Sequence, residues 1–293
     1  MDIKAKLESL LLTEHQQLSQ AQREKVIHYL ATQQLNILIV GATGVGKSST
    51  INALFAIEQA KVGVGVGADP MTMDITRYDL GNLVLWDTPG LGDSIEKDKQ
   101  HIQKIIHQLQ QKDGNNAFVI DLVLVILDGS SRDMGTSFEL INNVVIPHLG
   151  EQPTTRILVA INQADVAYKG ANGWDFGTNT PTEVGYRFLD EKVENVKQRI
   201  YASTQVMVEP VYFSAGYQDQ SGKQCPFNLS KLLYMIVEKA PNDKRLALRT
   251  NLSQKKESWK SSDGRKDYNK STKESFGLGK IIGGIVGFFF GLF

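Results

Sequence analysis

The chain has 293 residues, enough for one elaborated α/β domain with appendages or for two average domains. Hydrophobic residues make up 41% and charged residues 22%, which excludes a disordered or fibrous chain and allows a sizeable core. Lys+Arg and Asp+Glu both number 32, so a uniformly basic nucleic-acid binder is excluded and no DNA partner is expected.

The opening MDIKAKLESLLLTEHQQ is too polar and acidic for a secretory signal, and the single Cys225 cannot pair within the chain. Both favour a reducing, cytoplasmic setting. Over residues 1–34, Leu7, Leu10, Leu11, Leu18, Val26, Ile27 and Leu30 stand among Gln, Glu and Lys, a spacing that predicts one or two amphipathic helices. From 35 to 240, short β-branched runs alternate with helical patterns, as βαβ units on a parallel sheet require. The strands expected are 36–40, 83–86, 121–127, 156–161 and 210–213; the helices are 47–58, 94–112, 135–147, 186–203 and 228–239. TRYDL is expected to run antiparallel to NLVLW across the Gly81-Asn82 turn, whereas VGVGVGADP is too glycine-rich for a good strand. YKGANGWDFGTNTPTEVG reads as an inserted surface loop. Trp174 and Trp259, in polar surroundings, are expected as contact residues, and Trp86 as core.

Residues 241–274 carry ten Lys/Arg against five acids and read as a polar basic linker. Residues 275–293, FGLGKIIGGIVGFFFGLF in all but the first, form an apolar tail with Gly279, Gly283, Gly287 and Gly291 on one helical stripe. Shallow insertion in an anionic membrane, spanning, self-docking and docking on a partner all remain open for this tail.

Chemistry concentrates at the strand ends. Gly41-Ala42-Thr43-Gly44-Val45-Gly46-Lys47-Ser48 fits the G-x-x-x-x-G-K-[ST] pattern, with a β-branched strand running in and a helical pattern running out. Its glycines let backbone N–H groups turn inward onto phosphate oxygens, and the helix N-terminus adds a positive dipole end. Lys47 supplies a point charge to the β/γ-phosphates, and Ser48 offers a hydroxyl to Mg²⁺. Asp87, at the end of LVLWD, can hold a metal-bound water, and Gly90 follows three residues on. Asp165, in Asn162-Gln163-Ala164-Asp165, can accept the N1–H and exocyclic amine of guanine, a donor pair that adenine lacks. Ser214-Ala215-Gly216 ends the last strand and can offer a backbone N–H to guanine O6.

GATGVGKSS, a threonine before WDTPG, NQAD and SAG together resemble the five ordered motifs of TRAFAC-class GTPases over roughly 36–240. INALF and DTPGLGDS bring the resemblance nearest to bacterial Era-like GTPases, with some features of Toc, GIMAP and septin G domains. The resemblance implies an α/β P-loop G domain with a six-stranded, mostly parallel sheet, one antiparallel edge strand and helices on both faces. It implies GTP hydrolysis to GDP and phosphate at the C-terminal strand ends, with Mg²⁺ as cofactor. Carried over residue by residue, Gly41 to Ser49 (Gly41, Ala42, Thr43, Gly44, Val45, Gly46, Lys47, Ser48, Ser49) cradle the phosphates. Ser48, Asp87 and Thr72 hold Mg²⁺, and Lys47, Thr72 and Gly90 act on the γ-phosphate. Asn162, Gln163, Asp165, Ser214 and Ala215 hold the base. Thr72 is preferred over Thr76, which falls within the TRYDL strand.

Three departures stand out. Gln163 replaces the lysine of NKxD, which implies weaker affinity with guanine selectivity kept. Gly44 stands where potassium-stimulated members carry asparagine. Leu91 stands where Ras-like enzymes orient water with glutamine, so hydrolysis by one chain is expected to be slow, with a second G domain supplying the missing group. Arg132 could be such a cation, although a solvated loop charge is the simpler reading. The function expected is a GTP-dependent switch working through G-domain pairing, as a homodimer or larger assembly, peripheral to or anchored at a membrane. A slowly hydrolysing scaffold and a ribosome-associated GTPase are the alternatives.

Overall fold

The computed structural model describes residues 8–9, 11–12, 16–57, 61–64, 75–92, 94–170, 172–218, 222, 224–277 and 282. Its centre is a sheet of β1 (Leu35–Val40), β2 (Lys61–Val64), β3 (Thr76–Asp79), β4 (Leu83–Asp87), β5 (Leu122–Asp128), β6 (Ile157–Asn162) and β9 (Val211–Tyr212), in the order β2-β3-β4-β1-β5-β6-β9. Strands β4, β1, β5, β6 and β9 are mutually parallel, and β3 runs antiparallel to β4. These six are the strands that the resemblance implies, with β3 as the one antiparallel member.

The sheet gains a seventh strand where none was expected. Lys61–Val64, which takes in the start of VGVGVGADP, pairs antiparallel with β3, Lys61 opposite Asp79 and Val64 opposite Thr76. Edge pairing draws on backbone N–H and C=O groups, which glycine supplies as well as any residue.

The central strands read as unbroken apolar runs because both sheet faces are covered. Leu38, Val40, Val123, Val125, Ile157 and Val159 pack to one side, against Ile105 and Leu109 of α3 (Ile95–Gln110), Phe138 of α4 (Gly135–Glu139) and Leu189, Val196 and Ile200 of α5 (Glu183–Thr204). Their neighbours Ile37, Ile39, Leu122, Leu124, Leu158 and Ala160 pack to the other, against α2 (Lys47–Leu54) and α6 (Leu229–Lys239). The helix expected over 135–147 changes winding after Glu139, to a π segment at Leu140–Val145 and a 3₁₀ turn at Ile146–His148. Pro147 offers no N–H and its ring crowds the preceding turn, so regular winding cannot continue.

Ahead of the sheet, α1 (Gln20–Thr32) starts on a reciprocal cap between Ser19 and Gln22 and buries Val26, Ile27 and Leu30. Its Tyr29 donates a 2.7 Å hydrogen bond to Asp243. Burial and that carboxylate push the phenol up to about 12.

The stretch 241–274 does not behave as a linker. Helix α7 (Arg245–Thr250) buries Leu246, Ala247 and Leu248, and α8 (Tyr268–Ser275) buries Tyr268 and Thr272. Several of its bases are committed within the chain: Lys244 to Asp121 at 2.7 Å and Arg265 to Asp190 through two hydrogen bonds of 2.9 and 2.6 Å. Asp263 is paired at 2.6 Å with Lys231. Burial raises its carboxyl, but Lys231 and the Arg265 amide outweigh that and hold it below the ordinary value.

The insertion after β6 is likewise more ordered than a surface loop, forming a small hairpin of β7 (Trp174–Asp175) and β8 (Thr180–Pro181). Trp174 is buried, edge-on to Phe227 with centroids 5.0 Å apart, so it is a packing residue rather than a contact residue. Trp259 is partly buried and donates to the Ser253 carbonyl at 3.0 Å. Phe276 packs into the second core, and Ile282 is buried. The rest of the expected tail, 278–281 and 283–293, lies outside the described residues, as does Thr72. Among the described residues no helix is long and apolar enough to cross a membrane.

If 241–274 is integral, removing one of its apolar anchors should destabilise the whole domain. Leu248 is fully buried, so Leu248→Ala should lower the urea-unfolding free energy by about 2–5 kcal/mol in a single transition. A loss below 0.5 kcal/mol would mark the segment as peripheral.

Candidate functional site

Four of the strands end at one rim of the sheet. The loop after β1 leads through residues 41–46 into α2, whose start is set by Gly46 at φ 89°. An L side chain is strained in that left-handed conformation, and a Cβ there would also lie 2.3 Å from Asn162 Nδ2. The strand, the loop and the start of α2 follow one another as the G-x-x-x-x-G-K-[ST] pattern predicts, and the helix N-terminus is the part of that arrangement that favours an anion. Lys47 is 9% exposed, and its ammonium donates to the Gly41 carbonyl at 3.2 Å and the Ala42 carbonyl at 3.1 Å. The cation is therefore held over the loop before any phosphate arrives.

Strand β4 brings Asp87 against the start of α2, where Ser48 Oγ donates to Asp87 Oδ2 at 2.8 Å. Asp87 Oδ1 is buried and has no hydrogen-bond partner among the described residues. Burial pushes the Asp87 carboxyl above its ordinary value, while the Ser48 hydrogen bond and the Lys47 charge pull the other way. An unsatisfied buried carboxylate oxygen beside a hydroxyl is a hard-oxygen donor set that fits Mg²⁺. The segment beyond Asp87 is stitched to the phosphate loop. Thr88 Oγ1 donates to the Ile39 carbonyl at 2.9 Å, and the Thr43 amide donates to the Leu91 carbonyl at 2.8 Å. Gly90 lies so close that a Cβ would sit 2.5 Å from Thr43 Cα. The Leu91 side chain is 3% exposed and packs in the core. Being apolar, it carries no group that could hold water.

Strand β6 delivers Asn162, which is 3% exposed and bonded at both ends: Nδ2 donates to the Val45 carbonyl at 2.8 Å, and Oδ1 accepts from the Ala215 amide at 2.9 Å. The phosphate loop, the Asn162 loop and the Ser214 loop are thereby brought together. Gln163 adopts a left-handed backbone (φ 61°) and donates to the Gly44 carbonyl at 3.2 Å. It thus leans on the phosphate loop, a contact that its place among the base-holding residues did not foresee. Asp165 is partly exposed, and no described residue hydrogen-bonds its carboxylate, leaving its acceptors available to a ligand. The Ala215 amide, expected to cover guanine O6, is engaged by Asn162 in this structure, and the Gly216 amide donates to Ser214 Oγ at 3.0 Å.

Two residues without a motif signal also shape this rim. Gln224, in the hairpin of β10 (Ser214–Gln218) and β11 (Gln224–Phe227), donates to the carbonyls of Ala215 at 3.2 Å and Gly216 at 2.7 Å. Lys192 of α5 donates to the carbonyls of Gly129 and, at 3.0 Å, Ser131, just beyond β5. Arg132 is exposed at the edge of a groove shared with Phe138, Phe188 and Arg199.

With this geometry in view, the comparisons with known proteins are direct. Residues 36–163 match the model of the 50S ribosome-binding GTPase family. The chain is 28% identical over 166 residues to the uncharacterized protein YfjP of Escherichia coli (strain K12), covering 55% of this chain and 48% of YfjP. It is 29% identical over 196 residues to the tRNA modification GTPase MnmE of Dichelobacter nodosus, covering 65% of this chain and 40% of MnmE. The chain thus spans about half the length of the curated relatives it matches, at 48% and 49% for the two Escherichia coli proteins. Among solved structures, Toc33 from Arabidopsis thaliana in complex with GDP and Mg²⁺ superposes with a TM-score of 0.46 at 16% identity, covering 81% of this chain and 97% of that one. Over residues 36–163, less than half of the chain, the protein is thus similar to a GTPase family, on an α/β sheet with a phosphate-loop motif after its first strand.

Because Gly46 has no room for a side chain, Gly46→Ala should cost roughly 1–2 kcal/mol from the left-handed backbone alone. The clash with Asn162 adds to that cost, and urea unfolding would read the total. An unchanged midpoint would mean that the loop relaxes without cost.

Proposed function

We propose that this G domain binds GTP and GDP with Mg²⁺ and hydrolyses GTP to GDP and phosphate as a nucleotide-dependent switch. The observation that carries the reading is the Asn162 side chain, bonded to Val45 of the phosphate loop and to Ala215 of the last loop. Held in this way, the loop 41–48 cradles the phosphates with amides other than that of Thr43, which is bonded to Leu91, and Asp165 takes the N1–H and exocyclic amine of guanine at the base end. Lys47, already held over the loop, transfers its hydrogen bonds from carbonyls to phosphate oxygens. Ser48 and Asp87, with Thr72, are the oxygen donors proposed for Mg²⁺, which when bound neutralises charge on the β- and γ-phosphates. Water attacks the γ-phosphorus as its bond to the β–γ bridging oxygen breaks; that oxygen leaves on GDP, and the proton of the water passes to the released phosphate. Gly90, adjoining Thr43, is placed to sense whether the γ-phosphate is present, as a switch requires.

Leu91 supports a second part of the reading. Its side chain is apolar and packed in the core, so this position offers no group to orient water, and a group from a second G domain is proposed to complete the site. Within the TRAFAC class, INALF and DTPGLGDS favour the Era-like branch. The apolar run from Ile281 to Phe293 supports contact with an anionic membrane.

In a competition assay with fluorescent GDP, GTP and GDP should displace the probe far better than ATP, and Asp165→Asn should erase most of that preference. Equal competition by ATP and GTP in the unaltered chain would contradict the guanine assignment. Specific GTPase activity should rise with protein concentration, from a slow basal rate. A fast rate that stays flat on dilution would show that one chain already holds every catalytic group.

A further inference from the structure

A groove of about 670 Å³ is lined by Ser49 and Asn52 of α2, by Ala215 and Gln224 of the β10–β11 hairpin, and by Lys255 and the acidic Glu257. Ser49 directly follows the phosphate-loop Lys47-Ser48, and Ala215 is the residue bonded to Asn162. The groove therefore shares Ser49 and Ala215 with the residues assigned to the nucleotide, although Lys255 lies far outside the matched residues 36–163.

The segment carrying Lys255 is fixed at both ends. At one end it is zipped to the close of the phosphate-loop helix: the Ala56 amide donates to Asn251 at 3.0 Å and the Ser253 amide to Leu54 at 2.9 Å. At the other end, fully buried Asn228 clamps it to the last strand of the sheet. Asn228 Nδ2 donates to the Tyr212 carbonyl at 3.0 Å, its Oδ1 accepts from the Asp263 amide at 3.1 Å, and its own amide donates to Ser261 at 2.8 Å. Tyr212 is only two residues before Ser214. Between the anchors, Trp259 Nε1 donates to the Ser253 carbonyl and holds the turn closed. Lys255 sits in this rigid frame with an exposed side chain, and no described residue pairs with its ammonium.

The chemistry of the base indicates what that ammonium meets. With Asp165 on guanine N1–H and the exocyclic amine, O6 comes next around the ring and N7 beyond it, on the side away from Asp165 and toward Ala215. That edge presents two adjacent acceptors. The amides nearest to it are engaged, Ala215 with Asn162 and Gly216 with Ser214. A lysine suits the O6/N7 pair, whereas adenine places an amino donor beside N7 and repels it. We propose that Lys255 is a specificity-determining residue of the guanine site, donating from its ammonium to the O6/N7 edge. The proposal rests on the guanine-nucleotide reading above and adds to it a residue from the segment after the G-domain motifs.

The test is equilibrium titration of the full chain, and of Lys255→Met and Lys255→Arg, with GDP, 7-deaza-GDP and ADP. Methionine keeps the apolar stem and removes the charge at an exposed position, and urea unfolding of each variant checks that the fold is retained. Lys255→Met should weaken GDP binding roughly tenfold and leave ADP unchanged, while Lys255→Arg retains most of the affinity. The unaltered chain should bind 7-deaza-GDP more weakly than GDP, and that difference should vanish in Lys255→Met. Should Lys255→Met bind GDP as tightly as the unaltered chain, or keep the full 7-deaza penalty, the assignment of Lys255 fails while the guanine reading stands. Failure of the unaltered chain to bind GDP at all would overturn both.

Discussion

The buried carboxamide of Asn162 is the constraint on which the rim of this protein depends. In a low-dielectric interior an amide must satisfy both its oxygen and its nitrogen, and an unmade bond costs about 1–3 kcal/mol. Asn162 meets that demand only by joining Val45 on one side to Ala215 on the other. Strand β5 lies between β1 and β6, so the link from β6 to the phosphate loop must pass over the end of β5. Gly129 stands there: its amide donates to the Asn162 carbonyl at 2.8 Å, and a Cβ would lie 2.4 Å from that oxygen. The bland-looking Asp-Gly after β5 is thus part of the same joint as the phosphate loop.

Behind this rim the two packed sheet faces provide the rigidity, and the C-terminal segment extends it. The residues after α6 add buried apolar anchors, Leu246, Leu248 and Phe276 among them, and specific polar links: Asp263 to Asn228 and Lys231, and Lys244 to Asp121. Links of this kind add modest net stability and strong positional definition, because each partner is satisfied in one arrangement only. The same segment touches the end of the phosphate-loop helix and the strand leading to Ser214. The G domain and its apparent appendage therefore form a single packed unit.

The sheet was legible because its strands are buried on both faces: NILIV, DLVLVIL and RILVAI leave little alternative to central parallel strands. The rim was legible because phosphate and guanine chemistry restrict which residues can stand at which spacing; Gly46, Lys47, Ser48, Asp87, Asn162 and Asp165 come to one end of the sheet. What escaped notice has no hydrophobic or motif signature. Lys61–Val64 joins the sheet by backbone pairing alone. Trp174 is buried by Phe227, which lies more than fifty residues away in sequence, and hydropathy windows do not see such partners. Residues 241–274 look like a solvated basic linker because their charges are counted in isolation, whereas in the fold Lys244 and Arg265 meet acids from β5's entry and from α5. Leu91 gave the reverse lesson: its apolar character was plain in the sequence, and its burial explains why it cannot serve as the water-orienting group.

The central claim is that loops from separate strands, joined through Asn162, form one guanine-nucleotide site. Amide hydrogen exchange followed by mass spectrometry, with and without saturating GDP and Mg²⁺, addresses it most directly. The account predicts slowed exchange together in 41–49, 87–91, 162–165 and 214–216, and no change at the opposite end of the sheet, around Asp113–Asp121. Protection limited to the phosphate loop, or spread over the far end instead, would contradict it.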